Sequence, residues 1–299
     1  MACERMESCC MNEIHQDASE LTEARLLAFD TSTSSLAVAV MEGARLLAEH
    51  HLHAERNHSA YLISAIKDAL DKSGIDKSML DGIAVGVGPG SYTGARIAVT
   101  TAKTLAWALK LPVYGISSLE ALALGGWARG AAQPVAALGT SAAACGGRPD
   151  AAQDAAGVSG DWIVPLMDAR RGQVYTALFT AQPGQMPERL APDGIRLMAS
   201  WSQELAERLE AAAPSERPAR IWIVGETESG AARHAEVAEE TLGRLLGDSL
   251  HIFPYELEGA WVGLTGMRRS LLGEGDVLHA LEPNYTQLAE AEAKRLRKG

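Results

Sequence analysis

Aromatic residues, cysteines and long apolar runs are all scarce in this sequence. Phe, Trp and Tyr make up only 5% of the 299 residues, so the core should consist mainly of Ala, Leu, Val and Ile. No apolar run reaches the roughly 18–20 residues that a membrane-spanning helix requires. Of the four cysteines, three lie among the first ten residues and the fourth is Cys145. A disulfide scaffold would distribute them through the folded body, so we expect a reducing, cytoplasmic environment.

Basic residues are also in the minority. The chain has 27 Lys and Arg against 38 Asp and Glu, a formal net charge of −11. That balance argues against a protein that grips nucleic acid over a broad basic face. Residues 1–24 carry six acids and one Arg. They lack the basic start and apolar block of a secretory signal, so we predict a disordered tail.

From Arg25 the pattern becomes that of an α/β fold. Apolar runs separated by turns predict an antiparallel meander, followed by helices that alternate with buried strands. The expected strands are 25–30, 35–41, 45–52, 82–88 and 111–116, and the expected helices are 57–74, 95–109 and one that starts at 117. We place an N-terminal lobe at 25–124. Residues 125–161 contain 20 Ala or Gly and predict a flexible insertion.

The remainder, 162–299, predicts a second α/β lobe that repeats the first. Aligning Asp168 with Asp30 lays 26–41 over 164–179 without a gap. Both segments consist of an apolar strand, an Asp, a polar turn and a second apolar strand. We infer an internal duplication, although β-hairpins also resemble one another by chance.

The sharpest local motif is GPGSYTGAR at 88–96, between a strand and a helix. Glycines allow close approach of a ligand, and a helix start attracts anions. The motif nevertheless fails the Walker A, G-x-G-x-x-G and G-x-S-x-G patterns. Spacing alone leaves open a tight structural turn or a phosphate loop. The candidate nucleotide- or anion-binding residues are Asp30, Thr31, Gly88, Gly90, Ser91, Thr93, Gly94, Arg96 and Asp168.

Carboxylates and histidines offer weaker signals. Asp30 and Asp168 end equivalent strands, where they could hold Mg²⁺ through water or position a nucleotide. Capping of their own turns is the favoured alternative. His50, His51, His53 and His58 cluster without metal-ligand spacing, which favours a solvated edge strand over a zinc site. We predict no metal site and no catalytic residue.

Taken together, these motifs resemble the bacterial TsaB (YeaZ) family, whose members support threonylcarbamoyladenosine synthesis on tRNA. The resemblance rests on LLAFDTSTSSLAVAV, on GPGSYTGAR with its flanks and on MDARRGQVY. It covers about 25–124 well and the second half more weakly. It implies an actin-like, Hsp70-like, sugar-kinase-like fold of two duplicated lobes with mixed sheets.

The resemblance also implies kinship with the catalytic paralogue TsaD, whose metal site uses an HxxxH motif. Ser118 and Leu122 stand where the two histidines would be. Leu has no lone pair to donate, so that metal site cannot form here. We therefore expect a non-catalytic subunit.

A family member of this kind is expected to pair with TsaD and with an ATP-hydrolysing subunit, TsaE. Alone, it could form a homodimer. The tRNA would be held through the complex, and ATP or ADP at the complex interface is left open. The helix from His58 to Asp71 resembles a dimerisation helix whose Leu62 and Ile66 stripe faces its own sheet. The expected interface residues are His58, Tyr61, Leu62, Ile63, Ala65 and Ile66.

Two rival hypotheses remain at the level of sequence. One is an ATP-dependent small-molecule kinase or ATPase of the same fold, with nucleotide held by the glycine loop and the two aspartates. The other is a peptidase, which the lack of a nucleophile elbow and of metal ligands makes much less favoured.

Overall fold

The computed structural model describes residues 23–53, 58–133, 160–213, 216–229 and 232–286. Most of the predicted tail 1–24 and most of the stretch 125–161 lie outside these ranges. Within the described part of the chain, no helix is long and apolar enough to cross a membrane.

The first half forms one mixed five-stranded sheet. The antiparallel meander consists of β1 (Arg25–Asp30), β2 (Ser35–Glu42) and β3 (Arg45–His53), and β4 (Gly82–Gly86) and β5 (Val113–Ile116) add in parallel to β1 in the order β3-β2-β1-β4-β5. Three helices connect or follow these strands: α1 (His58–Ser73), α2 (Tyr92–Leu109) and α3 (Ser118–Gly130).

The second half repeats this topology. Its strands are β6 (Asp161–Asp168), β7 (Gln173–Ala181), β8 (Glu188–Leu197), β9 (Ile221–Gly225) and β12 (Leu250–Pro254), in the order β8-β7-β6-β9-β12. A small ribbon of β10 (Glu228–Ser229) and β11 (Ala232–Arg233) stands apart. The helices are α4 (Met198–Ala211), α5 (His234–Leu246) and α6 (Gly259–Leu271).

The two sheets share one strand order and one pattern of directions. In each, a three-stranded meander is extended by two strands parallel to its first member. This agreement supports the internal duplication, and the expected actin-like, sugar-kinase-like architecture is confirmed.

Two helices lie between the sheets and bind the halves together. α3 follows the first sheet but packs against β6 and β9, whereas α6 follows the second sheet but packs against β1 and β2. One apolar cluster fills this central layer, with Trp127 and Trp261 buried in it. The outer helices cover the far faces, α1 and α2 on the first sheet and α4 and α5 on the second.

The boundary predicted between 124 and 125 falls inside α3. The helix continues through Gly130 because its glycines are packing residues. A Cβ at Gly125 would lie 2.5 Å from Trp261, one at Gly126 2.5 Å from Val224, and one at Gly130 2.6 Å from Trp222. These first residues of the predicted flexible insertion are therefore ordered. Sequence reasoning missed the strands β8 and β12.

Candidate functional site: the shared edge of the two sheets

The turn after β1 is organised by Asp30, which is fully buried. Its Oδ1 accepts hydrogen bonds from the backbone N of Ser32 at 2.5 Å and from the Ser32 hydroxyl at 2.6 Å. Its Oδ2 accepts a hydrogen bond from the hydroxyl of Ser118, at the start of α3. Asp30 thus holds its own turn, as the favoured sequence interpretation expects, and also ties that turn to α3.

The glycine loop 88–94 packs directly on this turn. A Cβ at Gly94 would lie 1.8 Å from the carbonyl oxygen of Thr31, and one at Gly90 would lie 2.3 Å from that of Ser32. Ser91 N donates to Ser32 O at 2.6 Å, and the Thr31 hydroxyl donates to Gly94 O at 2.8 Å. The glycines at 90 and 94 therefore admit close approach of the chain's own backbone, and phosphate binding by this loop stays a prediction.

The exposed start of α2 differs from the buried loop behind it. The Ser91 hydroxyl accepts from Gly94 N at 3.3 Å and caps the helix. Arg96 is exposed, donates to the Tyr92 hydroxyl at 3.0 Å and lies over that ring. Thr93 is exposed as well. Anion binding by Ser91, Thr93 and Arg96 stays a prediction.

Asp168 reaches the same edge from the second sheet. Its Oδ1 accepts from Arg170 N at 3.0 Å and lies 3.2 Å from Nε2 of His234, which is buried. Glu226 joins the halves: one carboxylate oxygen accepts from the Ser34 hydroxyl at 3.1 Å and the other from Asp168 N at 2.8 Å. Sequence reasoning missed Glu226 and His234. The available signal was a carboxylate directly after β9, a parallel strand that ends at the same edge.

Ser118 and Leu122, which the resemblance aligns with the two histidines of the HxxxH motif, both make contacts within the chain. The Ser118 hydroxyl accepts from Gly88 N at 3.0 Å in addition to its bond with Asp30. Leu122 is buried, and its side chain packs against Gly225. A Cβ added at Gly225 would lie 2.8 Å from the Leu122 side chain. No group of three His, Cys, Asp or Glu side chains in the described ranges could hold a metal ion.

The histidines of β3 lie on an edge strand, as predicted. His51 Nε2 lies 2.9 Å from Oε2 of Glu256, which also accepts from the Ser35 hydroxyl at 2.6 Å. These hydrogen bonds, led by that of Ser35, lower the pKa of Glu256. His53 lies 3.4 Å from the same carboxylate. The cluster joins β3 to the segment before α6.

The predicted interface helix α1 presents only part of its candidate set. Tyr61 and Ile63 are 46% and 59% exposed. Three other members of the set are buried in the chain's own core: Leu62, Ala65 and Ile66. The expectation that these three contact a partner is therefore wrong. The error at Ala65 arose because it follows Leu62 by three residues, which is within the width of the buried stripe. The side chain of His58 lies outside the described part of the chain.

An exposed tryptophan was missed by sequence reasoning. Trp107, near the end of α2, is 71% exposed, and α2 packs beside α1 on the same face of the first sheet. Its signal was present in the sequence: the small residues Ala98, Ala102 and Ala106 define the buried stripe of α2, and Trp107 falls outside it.

Comparison with known proteins places this geometry among named relatives. A family model described as TsaD, tRNA N6-adenosine threonylcarbamoyltransferase, matches residues 51–145. The chain is 33% identical over 271 residues to the tRNA threonylcarbamoyladenosine biosynthesis protein TsaB of Bacillus subtilis, covering 90% of this chain and 96% of that protein. It is 36% identical over 115 residues to TsaB of Escherichia coli, covering 38% of this chain and 49% of that protein.

A solved structure has the same fold. YeaZ from Pseudomonas aeruginosa superposes with a TM-score of 0.60 at 22% identity, covering 88% of this chain and 99% of that one. At that identity the likeness concerns the fold alone.

Proposed function

The chain belongs to the TsaB family of tRNA threonylcarbamoyladenosine biosynthesis proteins, and on that premise we propose that it is a non-catalytic subunit that binds the TsaD catalytic subunit. In this role it supports transfer of a threonylcarbamoyl group to the anticodon-adjacent adenosine of tRNA. A TsaE ATPase subunit completes the complex.

The exposed apolar side chains of the α1–α2 layer carry this proposal. Tyr61, Ile63 and Trp107 are large, and each is exposed by more than two fifths. Scattered single apolar residues are normal on a surface, but these lie on two adjacent helices that cover one sheet. Large apolar side chains on such a layer suit a protein partner. Without TsaD, the same layer would support a homodimer.

The packing of the glycine loop supports an accessory role. The carbonyls of Thr31 and Ser32 occupy the space beside Gly94 and Gly90. Asp30 is held by Ser32 and Ser118. These contacts favour the subunit over the rival kinase or ATPase, which needs the same groups for nucleotide. If ATP or ADP binds, we place it at the boundary with TsaD.

The peptidase rival gains no support from the site. The Ser91 hydroxyl caps α2 through Gly94 N, and the described structure places no base on it. The similarity to peptidase YEAZ described for one Pseudomonas aeruginosa protein of solved structure concerns that protein.

Co-purification of TsaD with the full chain tests the interface. We expect Ile63→Asp and Tyr61→Asp to reduce the association at least tenfold, since each places a charge within an apolar contact. The matched control is Leu190→Asp, on β8 of the other half, at a side chain of similar exposure. Association of both α1 variants at the wild-type level would refute the interface, provided that all three variants fold.

A further inference from the structure

The turn between β6 and β7 presents two adjacent arginines in an unusual backbone conformation. Arg170 and Arg171 have φ of 64° and 54°, and Gly172 follows at 73°. A Cβ makes this left-handed region unfavourable, and two-residue turns that require it favour Asn-Gly or Asp-Gly. Local turn preference therefore does not explain two arginines here.

The backbone of this turn is fixed on both sides. Arg170 N donates to Asp168 Oδ1 at 3.0 Å, and Gln173 N donates to Arg170 O at 3.0 Å. Met198 N, at the start of α4, donates to Gly172 O at 3.0 Å. Both arginines are exposed, so a rigid turn carries two projecting guanidinium groups.

The neighbouring carboxylates are engaged elsewhere. Asp168 bonds to Arg170 N and to His234, and Glu226 accepts from Ser34 and from Asp168 N. Within the ranges that the structure describes, no side-chain hydrogen bond or ion pair satisfies either guanidinium. In a chain of net charge −11, the turn thus presents two adjacent guanidinium groups that form no ion pair of their own among the described residues.

We propose that Arg170 and Arg171 bind phosphate groups of the tRNA backbone. The planar guanidinium fork matches phosphate oxygens in a bidentate way, and phosphate contacts add affinity without reading sequence. The choice of tRNA rests on the proposed function, because family membership supplies the RNA. The contact is local, so it is compatible with an acidic chain whose partners hold most of the tRNA.

Binding of tRNA to the complex with TsaD and TsaE, measured over a series of salt concentrations, tests the proposal. We expect the double variant R170A/R171A to bind roughly tenfold more weakly at moderate salt. The slope of log affinity against log salt should fall by about one to two. The control R45A/R244A removes the same charge from exposed arginines on β3 and near the end of α5, and it should leave both quantities at the wild-type value.

A second variant separates binding from turn structure. The Gln173 N–Arg170 O bond makes Arg171 and Gly172 the central pair of the turn. R170N/R171N places Asn, which tolerates positive φ, at both strained positions and Asn-Gly at that central pair, so the protein should melt at or above the wild-type temperature. It should nevertheless lose tRNA affinity as R170A/R171A does. A merely structural role for the arginines predicts wild-type tRNA binding in this variant.

Unchanged affinity and salt slope in both variants would overturn the proposal. Loss of ATP binding with unchanged tRNA binding would overturn it in favour of a nucleotide phosphate. The variants could also associate less well with TsaD or TsaE, while the complexes that still form bind tRNA as wild type does. That result would overturn the proposal in favour of an acidic protein surface as the partner of the two arginines. If the wild-type chain does not assemble with TsaD, the proposed function fails separately from the proposal about the arginines.

The arginines can then be tested by measuring tRNA binding to the chain alone at low salt. Loss of that binding in both variants would support the proposal, and unchanged binding would overturn it.

Discussion

At the scale of single residues, the polar edge of this protein is dominated by contacts of the chain with itself. Asp30, Ser118 and Gly88 form one chain of hydrogen bonds between a turn, a helix and a loop. Buried polar groups require such partners, because an unsatisfied one costs about 1–3 kcal/mol. The residues that resemble a phosphate site therefore also hold the turn after β1, the glycine loop and the start of α3 together.

Gly94 is the residue whose substitution should cost most in this loop. In Gly94→Ala, the new Cβ would overlap the Thr31 carbonyl oxygen, 1.8 Å away, so the loop must move off the turn. We expect the free energy of unfolding to fall by roughly 2–4 kcal/mol, in line with overpacking and a lost buried hydrogen bond. Chemical denaturation measures this change.

The matched control is Gly243→Ala, within α5, where an added Cβ would meet no heavy atom within 4 Å. Ala is the better helix former, so this substitution should stabilise the protein by up to about 1 kcal/mol. Equal effects of the two substitutions would contradict the assigned close approach at Gly94.

Glu49 makes the stability depend on pH. It accepts from Ala260 N at 3.1 Å, and burial is the largest cause that raises the pKa of its carboxyl group. A raised pKa means that the folded state holds the proton better, so the stability from this group is lost as pH rises through the folded pKa. The free energy of unfolding of Glu49→Gln minus that of wild type should therefore be more positive at about pH 8 than at about pH 4.

Asp76 provides a comparison of opposite sign. Hydrogen bonds from the Ser78 hydroxyl and backbone N lower the pKa of Asp76, so its stability is present at neutral pH and lost on acidification. Asp76→Asn should lose stability relative to wild type at about pH 8, and this difference should shrink only as the pH falls below the ordinary pKa of 3.8. If the stability difference from wild type changed with pH in the same direction for both variants, the environments assigned to the Glu49 and Asp76 carboxyl groups would be wrong.

At the scale of elements, the sequence predicts most of the fold because local patterns and tertiary structure agree. The meander, the stripe of α1 and the strand before the glycine loop are all predictable, since their apolar periodicity matches the face that they bury. β8 was missed because it is an edge strand that contains Pro192 and Gly194 and in which every residue except Ala191 is exposed or half-buried. The end of α3 was missed because glycine composition indicates flexibility, whereas Gly125 and Gly126 fit against large side chains of the other half.

The candidate site was only partly predictable for a related reason. Spacing located Asp30, Asp168 and the glycine loop, but it could not tell whether the glycines admit a ligand or the chain itself. Glu226 joins Ser34 and Asp168 across a long stretch of sequence, and no local pattern encodes such a contact.

Helix α1 should respond very differently at adjacent positions. Leu62 is buried in the core of the first half and Ile63 is exposed. Leu62→Ala should reduce the free energy of unfolding by about 2–5 kcal/mol, whereas Ile63→Ala should change it by no more than about 0.5 kcal/mol. Thermal or urea unfolding distinguishes them. Comparable losses at both positions would show that the assigned face of α1 is wrong.

At the scale of the whole molecule, two duplicated halves are joined through exchanged helices. α3 and α6 each pack on the sheet of the opposite half, and Glu226, Glu256 and Glu49 add polar bridges between the halves. The first half also matches the TsaD family model over 51–145, and the resemblance aligns Ser118 and Leu122 with the two histidines of the HxxxH motif. The proposal of an accessory subunit combines that kinship with this substitution.

Reconstitution tests the proposed accessory role most directly. Threonylcarbamoyladenosine formation on tRNA would be measured with TsaD and TsaE, with and without this chain. We predict robust modification only when the chain is present, no modification by the chain alone, and a large loss with Ile63→Asp. Modification by TsaD and TsaE at the same rate without the chain would contradict the accessory role, as would phosphoryl transfer or ATP hydrolysis by the chain alone that Asp30→Ala abolishes.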